Sequence, residues 1–418
     1  MATIAKSNRS NYLIWQKITG SVSTEDLEEK GLNKVNAPQN LSIANGFVLT
    51  WDDKSNFETG VEIFRRLDGE TRFNKIGSVG QNIETFTDST TNVGLKYYYK
   101  VRAYYNDGVG DVDYGVFSNI VSKTSDLEWV SRSASEQNFW GSIAFGNGVF
   151  IAVAPLGTNR TMRSTDSGST WSSVASSSAL ALSKIGYGNG NFLILSQSSG
   201  DVIKSTDYGV SWSTLSSVLD VQIWRGLVYG NSTWVAVSTT GTDRSAWSDD
   251  DGITWNMVTT PEQNSWTDIA FGNGVFVALA QSGTNRIMRS TDDGVSWSSV
   301  AAPEQNSWQS VTYNNGAFWA VSSNGTNRAM ISTDLGLSWV SITTPEQNAY
   351  SEIASGGGYI VAVSESGLNR SIFTLNTSTV FIGDETPEQN LWNAISYGNN
   401  TFVSVSLDGT NRVMTSSV

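Results

Sequence analysis

The chain has 418 residues and a formal net charge of −13, and it contains neither cysteine nor histidine. The missing cysteine excludes disulfides and zinc–thiolate sites, and the missing histidine removes the commonest general base and metal ligand. The acidic charge argues against a nucleic-acid partner, because phosphate binding needs clustered Lys and Arg. We therefore expect no metal, no cofactor and no nucleic acid.

No run of about 18 apolar residues occurs, so we predict no membrane insertion. The first residues lack the continuous apolar core of a secretory signal, which favours synthesis in a cytoplasm. With 39 glycines, 6 prolines and 16 tryptophans, the composition is typical of an all-β protein with many tight turns.

Residues 1–35 match neither of the patterns that follow. Residues 11–18 form a small aromatic and aliphatic cluster. Residues 23–30 begin with Ser and Thr and precede Gly31, which predicts a short capped helix. This segment is either an arm that packs on the next domain or an anchor that docks the protein into a larger assembly.

Residues 36–124 predict a small β-sandwich. The runs NLSI and FVLTW, around an Asn-Gly pair at 45–46, predict an opening hairpin. GVEIFRRL and the long alternating run YYYKVRAYYN predict two further strands.

This region resembles a fibronectin type III domain over roughly ninety residues. The residues that carry the resemblance are Pro38, Trp51, Leu95, the alternating Tyr97, Tyr99, Val101 and Ala103, and the closing run 118–121. Tyr97 falls where such sandwiches have their tyrosine corner. The resemblance implies a spacer or docking unit, and the absence of an Arg-Gly-Asp tripeptide gives no support to integrin-type adhesion.

A repeat begins at residue 127 and continues to the end of the chain. Residues 265–306 show one period: four short alternating runs separated by Gly- and Asn-containing turns. Four strands in a period of about 42 residues predict a β-propeller blade. A tryptophan or its replacement marks each period, at Trp129, Trp171, Trp212, Trp255, Trp297, Trp339 and Phe381.

The repeat also predicts how the ring closes. The seventh period begins at Leu391 and reaches Val418 after only three strands. Residues 127–131, which carry Trp129, supply a spare outer strand. We therefore predict a seven-bladed propeller over residues 127–418 with Velcro closure, in which the first strand completes the last blade and no sheet edge stays open.

Five blades carry the pattern Ser-x-Asp-x-Gly-x-Ser/Thr-Trp, which resembles the Asp-box (BNR) repeat of sialidases and of many non-enzymatic propellers. The aspartates are Asp166, Asp207, Asp250, Asp292 and Asp334. We expect a hairpin in which the aspartate accepts hydrogen bonds from the turn and the glycine supplies a positive φ. The sixth blade departs from the pattern at residues 374–377, which predicts a looser hairpin.

The resemblance raises the question of sialidase chemistry, which needs three arginines around a carboxylate. Arginines do recur, at Arg160, Arg244, Arg286, Arg328, Arg370 and Arg412. Each has the same place in its repeat, whereas a catalytic set breaks repeat symmetry. We therefore expect no catalytic residues, no glycosidase activity and no enzyme.

One face should carry the turns SGTNR and the linkers PEQN, each followed by an aromatic residue. Amides beside an aromatic plane suit sugar recognition. The candidate ligand-binding residues are Asn285, Arg286, Gln305, Asn306, Asn327, Arg328, Gln347 and Asn348. The alternative is that Glu–Arg and Asn–backbone contacts join neighbouring blades, with the aromatic residues in the core.

The order of modules resembles that of phage virion appendages, such as tail-fibre, baseplate or head-decorating proteins. The resemblance implies a structural or adhesion protein of the virion, assembled in the host cytoplasm. Its partners would be other virion proteins, reached through the arm and sandwich, and a host receptor or glycan. The protein would be present in multiple copies in the assembly. The alternative is an extracellular or surface bacterial carbohydrate-binding protein, or a sialidase-like glycosidase.

Overall fold

The computed structural model describes residues 35–418 except 45–46, 56–57, 93–94, 107–111, 126, 176–179 and 198. The predicted arm and its helix, within residues 1–34, lie outside these residues, as does the Asn-Gly pair of the first hairpin. The chain divides into two compact units at residues 126 and 127. Every regular element in the described ranges is a β-strand, and none is a helix able to cross a membrane.

The first unit contains two antiparallel sheets. Its eight strands are β1 Gln39–Ile43, β2 Val48–Asp52, β3 Gly60–Leu67, β4 Asn74–Gly80, β5 Thr85–Thr87, β6 Lys96–Asn106, β7 Val112–Tyr114 and β8 Val121–Thr124. One sheet has the order β1-β2-β5 and the other β4-β3-β6-β7, with β8 also paired to β6. The last strand thus begins at Val121, where the predicted closing run ends.

Alternating side chains of these strands fill the core of the first unit, including Trp51 and Tyr99, which are buried. The hydroxyl of Tyr97 accepts a hydrogen bond from the Asn92 amide five residues upstream, at 2.9 Å. Asp88 is buried and accepts hydrogen bonds from Tyr99 at 2.8 Å and Arg65 at 2.7 Å. Burial alone would raise the pKa of Asp88, but these bonds and those from Thr90 lower it.

The second unit consists of seven four-stranded antiparallel sheets, numbered 1 to 7 in chain order. Sheets 1 to 3 contain β10 Ser142–Gly146, β11 Val149–Val153, β12 Thr161–Ser164, β13 Ser172–Val174, β14 Leu182–Gly188, β15 Asn191–Ser196, β16 Val202–Ser205, β17 Ser213–Leu215, β18 Trp224–Gly230, β19 Thr233–Ser238, β20 Ser245–Ser248 and β21 Asn256–Val258.

Sheets 4 to 7 follow in the same order. Their strands are β22 Trp266–Gly272, β23 Val275–Ala280, β24 Ile287–Ser290, β25 Ser298–Val300, β26 Trp308–Asn314, β27 Ala317–Ser322, β28 Ala329–Ser332, β29 Val340–Ile342, β30 Tyr350–Gly356, β31 Tyr359–Ser364, β32 Ser371–Leu375, β33 Ile382–Asp384, β34 Trp392–Gly398, β35 Thr401–Ser406 and β36 Val413–Ser417, with β9 Val130–Arg132 as the fourth strand of sheet 7.

The first strands of successive sheets lie side by side, and β34 of sheet 7 lies beside β10 of sheet 1. In sheet 7, β36 pairs antiparallel with β9, with Met414 opposite Ser131. Trp129, next to β9, donates its indole N–H to Asp384 of sheet 6 at 2.7 Å. The strand at the start of the repeat therefore contacts both the last sheet and its neighbour.

Neighbouring sheets approach closely because the first strand of most sheets ends in glycine. Gly398 of sheet 7 lies against the ring of Phe145 in sheet 1, and Gly272 lies against Tyr313. At six such glycines, a Cβ would come within 1.9–2.2 Å of the neighbouring aromatic ring. At these six glycines no larger residue fits without moving the next sheet. Sheet 5 has Asn314 at this place, and sheet 6 has Ser355 where the other sheets have the aromatic residue.

The five predicted aspartates each hold the hairpin between the third and fourth strands. Asp207 accepts hydrogen bonds from the Ser205 hydroxyl at 2.8 Å and from the amide and hydroxyl of Ser211 at 2.9 and 2.6 Å. Two left-handed residues follow, Tyr208 and Gly209, with φ of 57° and 81°. In sheet 6 the turn at residues 374–378 lacks the aspartate, and Ser378 N–H donates to the Leu375 carbonyl at 2.9 Å.

These aspartates predict the acid sensitivity of the second unit. Burial alone would raise the pKa of Asp207, but the hydrogen bonds to its carboxylate lower it to about 2, and the pKa of the other four is lowered too. A lowered folded-state pKa stabilises the fold above the unfolded value of about 3.9, and this stability is lost as pH falls toward 2. Urea unfolding midpoints should therefore fall over this range. A midpoint that stays constant down to about pH 2 would contradict the assignment.

Candidate functional site

The eight predicted ligand-binding residues lie in the turns between second and third strands and in the linkers between sheets. In the linker before sheet 5, Gln305 donates to the Thr284 carbonyl at 3.1 Å. Asn306, 4% exposed, donates to the Asn327 carbonyl at 2.7 Å. Arg286 donates to the carbonyls of Gln305 and Asn306 at 2.8 and 2.7 Å. These contacts join sheet 4 to sheet 5.

The next junction repeats the arrangement. Arg328 donates to the side chain of Gln347 at 3.1 Å, and Gln347 donates to the Thr326 carbonyl at 2.9 Å. Asn348, also 4% exposed, donates to the Asn369 carbonyl at 2.6 Å. The Asn–backbone contacts of the alternative interpretation are therefore present, and ligand binding by these residues stays a prediction.

The linker glutamates contact asparagine and not arginine. Glu304 accepts hydrogen bonds from the backbone amide of Asn327 at 3.2 Å and from its side-chain amide at 2.5 Å. Burial alone would raise the pKa of Glu304, but these bonds lower it. The aromatic residues after the linkers are core residues that present no plane to a ligand: Trp140, Trp266, Trp308, Tyr350 and Trp392 are at most 1% exposed.

Replacing Glu304 tests the strength of one junction. Glu304→Ala leaves the amides of Asn327 without their acceptor, so the free energy of unfolding should fall by about 1–3 kcal/mol. Glu304→Gln keeps one acceptor oxygen and should cost less. Urea unfolding of both variants measures the difference. Equal free energies of unfolding for Glu304→Ala and the parent protein would show that these hydrogen bonds do not stabilise the junction.

A polar cavity of about 330 Å³ opens where the first strands of the seven sheets begin. Its wall contains residues from two successive positions of the repeat, including Lys184, Ser310 and Glu352 at the second. The first position holds Gly141, Ser183, Arg225, Thr267, Gln309, Ser351 and Asn393, and the second holds Ser142, Lys184, Gly226, Asp268, Ser310, Glu352 and Ala394. Every first-position residue lines the cavity, so the sheets converge on it.

Three charged side chains meet at the second position, on sheets 2, 4 and 6. The Lys184 ammonium contacts Glu352 and lies 3.4 Å from Asp268. Asp268 also accepts hydrogen bonds from the Ser310 hydroxyl at 2.7 Å and the Val311 amide at 3.1 Å. Glu352 accepts one from the Ile395 amide at 3.0 Å. The charged cluster is thus shared by alternate sheets and bonded to the sheets between them.

Burial and charge oppose each other in this cluster. Burial alone would lower the pKa of Lys184, but Asp268 and Glu352 raise it, so the amine stays protonated. Burial and the nearby Asp268 carboxylate raise the pKa of Glu352, although Lys184 opposes this. One cation faces two carboxyl groups, which leaves this region acidic.

The rim of the cavity carries several polar side chains. Arg225 is exposed and forms no ion pair with any described residue. Gln281 presents a side-chain amide, whereas the Gln309 amide nitrogen donates to the Ser307 carbonyl and the Ser323 hydroxyl, both at 3.2 Å. Asn393 donates to Glu365 at 2.8 Å. The opening therefore presents both donors and acceptors, without a flat apolar wall.

Sequence reasoning missed this cavity. The sequence feature that could have indicated it is the second cavity-lining position of the repeat. Small residues alternate there with Lys184, Asp268 and Glu352, whereas the flanking positions are similar in every repeat. A charge that breaks a repeat at one fixed position indicates a shared environment at the centre of the repeats.

No family model matches the chain, and no curated protein sequence matches it. Solved structures do resemble it. The virginiamycin B lyase of Staphylococcus aureus with quinupristin has a TM-score of 0.61 at 13% identity, over 70% of this chain and 100% of that one. YCF48 from Cyanidioschyzon merolae has a TM-score of 0.55 at 13% identity, over 69% and 98%. A xyloglucanase from Xanthomonas campestris has a TM-score of 0.54 at 13% identity, over 68% and 53%.

The second unit is a β-propeller. Its repeated four-stranded sheets and these similar structures agree on that fold. Two of the three similar propellers are enzymes, a lyase and a xyloglucanase. The sequence-based prediction that the protein is not an enzyme is therefore wrong. That prediction was based on the symmetric placement of the arginines. These arginines lie at the junctions between sheets, and their symmetry gives no information about the cavity, whose residues differ from sheet to sheet.

Proposed function

We propose that the protein binds a hydroxyl-rich ligand, such as a surface glycan, in the cavity of the propeller. The observation that carries the proposal is the rim, where the guanidinium of Arg225, the amide of Gln281 and the Asn393–Glu365 pair lie around one opening. Sugar hydroxyls donate and accept hydrogen bonds, so a rim with both donors and acceptors suits them.

The finer architecture belongs to the same proposal. We infer a closed ring of seven Asp-box blades with Velcro closure, supported by the β36–β9 pairing and by the contact of Gly398 with Phe145. The first unit is proposed as a fibronectin type III domain, supported by its two sheets and the Asn92–Tyr97 hydrogen bond.

The site of action is proposed from the order of modules. An arm, a sandwich and a ligand-binding propeller suit a virion appendage that meets a host receptor or glycan, with the arm and sandwich contacting other virion proteins. Among proteins with a similar fold, the S. aureus lyase was solved with quinupristin, which supports ligand binding by such propellers.

A glycan array probed with the full chain tests the proposal. The variants Arg225→Thr and Glu365→Ser place at the rim the residues that Thr267 and Ser323 provide in other sheets, so they should fold and lose binding. The pair Arg286→Ala and Arg328→Ala is the matched control at the outer junctions. Binding lost only in this control pair would move the site to the junctions, and no glycan binding by the parent chain would refute the proposal.

A further inference from the structure

Phe139 precedes the first strand of sheet 1. In the other six sheets, the backbone carbonyl at this position of the repeat forms the same hydrogen bond. The equivalent residues are Ala181, Ile223, Ser265, Ser307, Ala349 and Leu391. In all six, the carbonyl accepts a hydrogen bond of 2.7–3.1 Å from a backbone N–H sixteen residues later. In sheet 5, for example, Ser323 donates to Ser307 at 3.0 Å. The turn after the second strand thus pairs with the residue that precedes the first.

The N–H of the same residue is also satisfied in five of these sheets, 3 to 7. In sheet 5, Ser307 donates its N–H to the side chain of Asn324 at 2.7 Å, and in sheet 7, Leu391 donates to Asp408 at 2.6 Å. A hydroxyl of Thr240, Ser282 or Ser366 has this role in three other sheets. Both backbone groups of this residue are therefore normally occupied by the turn of the same sheet.

Sheet 1 lacks both partners because of two residues. Pro155 stands where Ser323 donates in sheet 5, and proline has no N–H. Leu156 stands where Asn324 accepts, and its side chain has no acceptor. No hydrogen bond joins the N–H or the carbonyl of Phe139 to any described residue. One residue of the propeller thus keeps a free donor and a free acceptor.

The side chains at this backbone edge are apolar and accessible, and the Arg412 guanidinium lies 5.8 Å from the centroid of the Phe139 ring. Phe139 is 49% exposed and Leu156 is 57% exposed. Phe139 and Tyr208 are the aromatic residues more than a third exposed among the described residues of the propeller, and Tyr208 lies in a hairpin between third and fourth strands. Gly141, two residues after Phe139, lines the cavity and adds no side chain to obstruct it.

We propose that this edge, made of Phe139, Pro155 and Leu156, binds an extended peptide segment of a partner protein. Phe139 lies three residues before β10 and outside any strand. An extended peptide carries an N–H and a carbonyl at every residue, so its backbone can supply the acceptor and the donor that Phe139 lacks. The peptide then takes the place that two turn residues, such as Ser323 and Asn324 of sheet 5, fill elsewhere. Its apolar side chains pack on Phe139 and Leu156. A glycan would instead need polar side chains around the edge of its sugar ring, whereas the turn beside Phe139 supplies Pro155 and Leu156.

An array of linear peptides, probed with the full chain, tests this inference. The parent protein should bind a subset of apolar, extended peptides. Pro155→Ser combined with Leu156→Asn gives sheet 1 the turn residues of sheet 5, which supply the donor and the acceptor from within the chain. Affinity should then fall by about tenfold or more, because the peptide loses two hydrogen bonds. An unchanged melting temperature shows that the double variant is folded.

A transplant gives the reciprocal test. Ser307→Phe, Ser323→Pro and Asn324→Leu together should create a second edge in sheet 5, and the peptide stoichiometry should rise from one to two. The inference fails if no peptide binds the parent chain or if the double variant at Pro155 and Leu156 binds as well as the parent.

Glycan binding is measured on the same variants to separate the two proposals. Glycan binding that survives the sheet 1 double variant while peptide binding disappears supports both. Glycan binding that disappears in that variant, with no peptide bound by the parent, makes the edge part of the sugar site and overturns the peptide inference alone.

Discussion

Deleting residues 127–132 should lower the free energy of unfolding of the propeller by at least about 3 kcal/mol. The deletion removes β9, so β36 loses its partner strand and sheet 7 gains an open edge. It also removes Leu127, which is 2% exposed, and the hydrogen bond from Trp129 to Asp384. Urea unfolding of the deleted and parent chains measures the loss.

Trp129→Phe is the matched control for this deletion. It keeps an aromatic ring and the β9–β36 pairing but removes the indole donor, so it should cost about 1–2 kcal/mol. If the deletion costs no more than Trp129→Phe, the strand does not close the ring and the proposed closure fails.

Lys184→Met should destabilise the propeller by about 3–5 kcal/mol at neutral pH, because it leaves Asp268 and Glu352 buried without their cation. The side chains of these residues are 7% and 13% exposed. Burial and the Asp268 carboxylate raise the pKa of Glu352, and Lys184, which opposes this, is absent from the variant. The variant should therefore gain stability relative to the parent as pH falls from about 7 to 5. Urea unfolding at both pH values tests the size and the sign.

The repeat supplies a control for Lys184→Met. Serine occupies the same position in sheets 1 and 5, as Ser142 and Ser310. Replacing Lys184, Asp268 and Glu352 together with serine removes every charge at once and should recover most of the lost stability, since a whole buried cluster is often replaceable. If the triple variant is less stable than Lys184→Met, the cluster is a net source of stability and the argument from unpaired charge is wrong.

The sequence predicted the parts of this fold that depend on local chemistry. The Asp207 hairpin is set by the residues of one turn, and the alternating pattern of Lys96–Asn106 indicates a strand by itself. The spare strand near Trp129 was predictable because counting repeats leaves one strand over. Each of these inferences needs only neighbouring residues or a fixed spacing.

The charged cluster and the open edge could not be predicted in that way. Lys184 and Glu352 are 168 residues apart and meet because of the way the sheets converge. The roles of Asn306 and Arg286 were ambiguous for the same reason: an amide suits a sugar and a neighbouring carbonyl equally well. The residues that repeat serve the contacts between sheets, and the residues that depart from the repeat line the places open to a ligand.

Alternation around an odd number of sheets has a consequence at one junction. Small and charged residues alternate at the second cavity position, from Ser142 and Lys184 through to Glu352 and Ala394. Seven is an odd number, so the alternation of small and charged residues cannot continue from sheet 7 to sheet 1. Two small residues, Ala394 and Ser142, are therefore neighbours where these two sheets meet. Two small uncharged residues therefore meet next to Gly141, at the junction that also presents Phe139. An even number of sheets would have placed a charge there and removed the asymmetry.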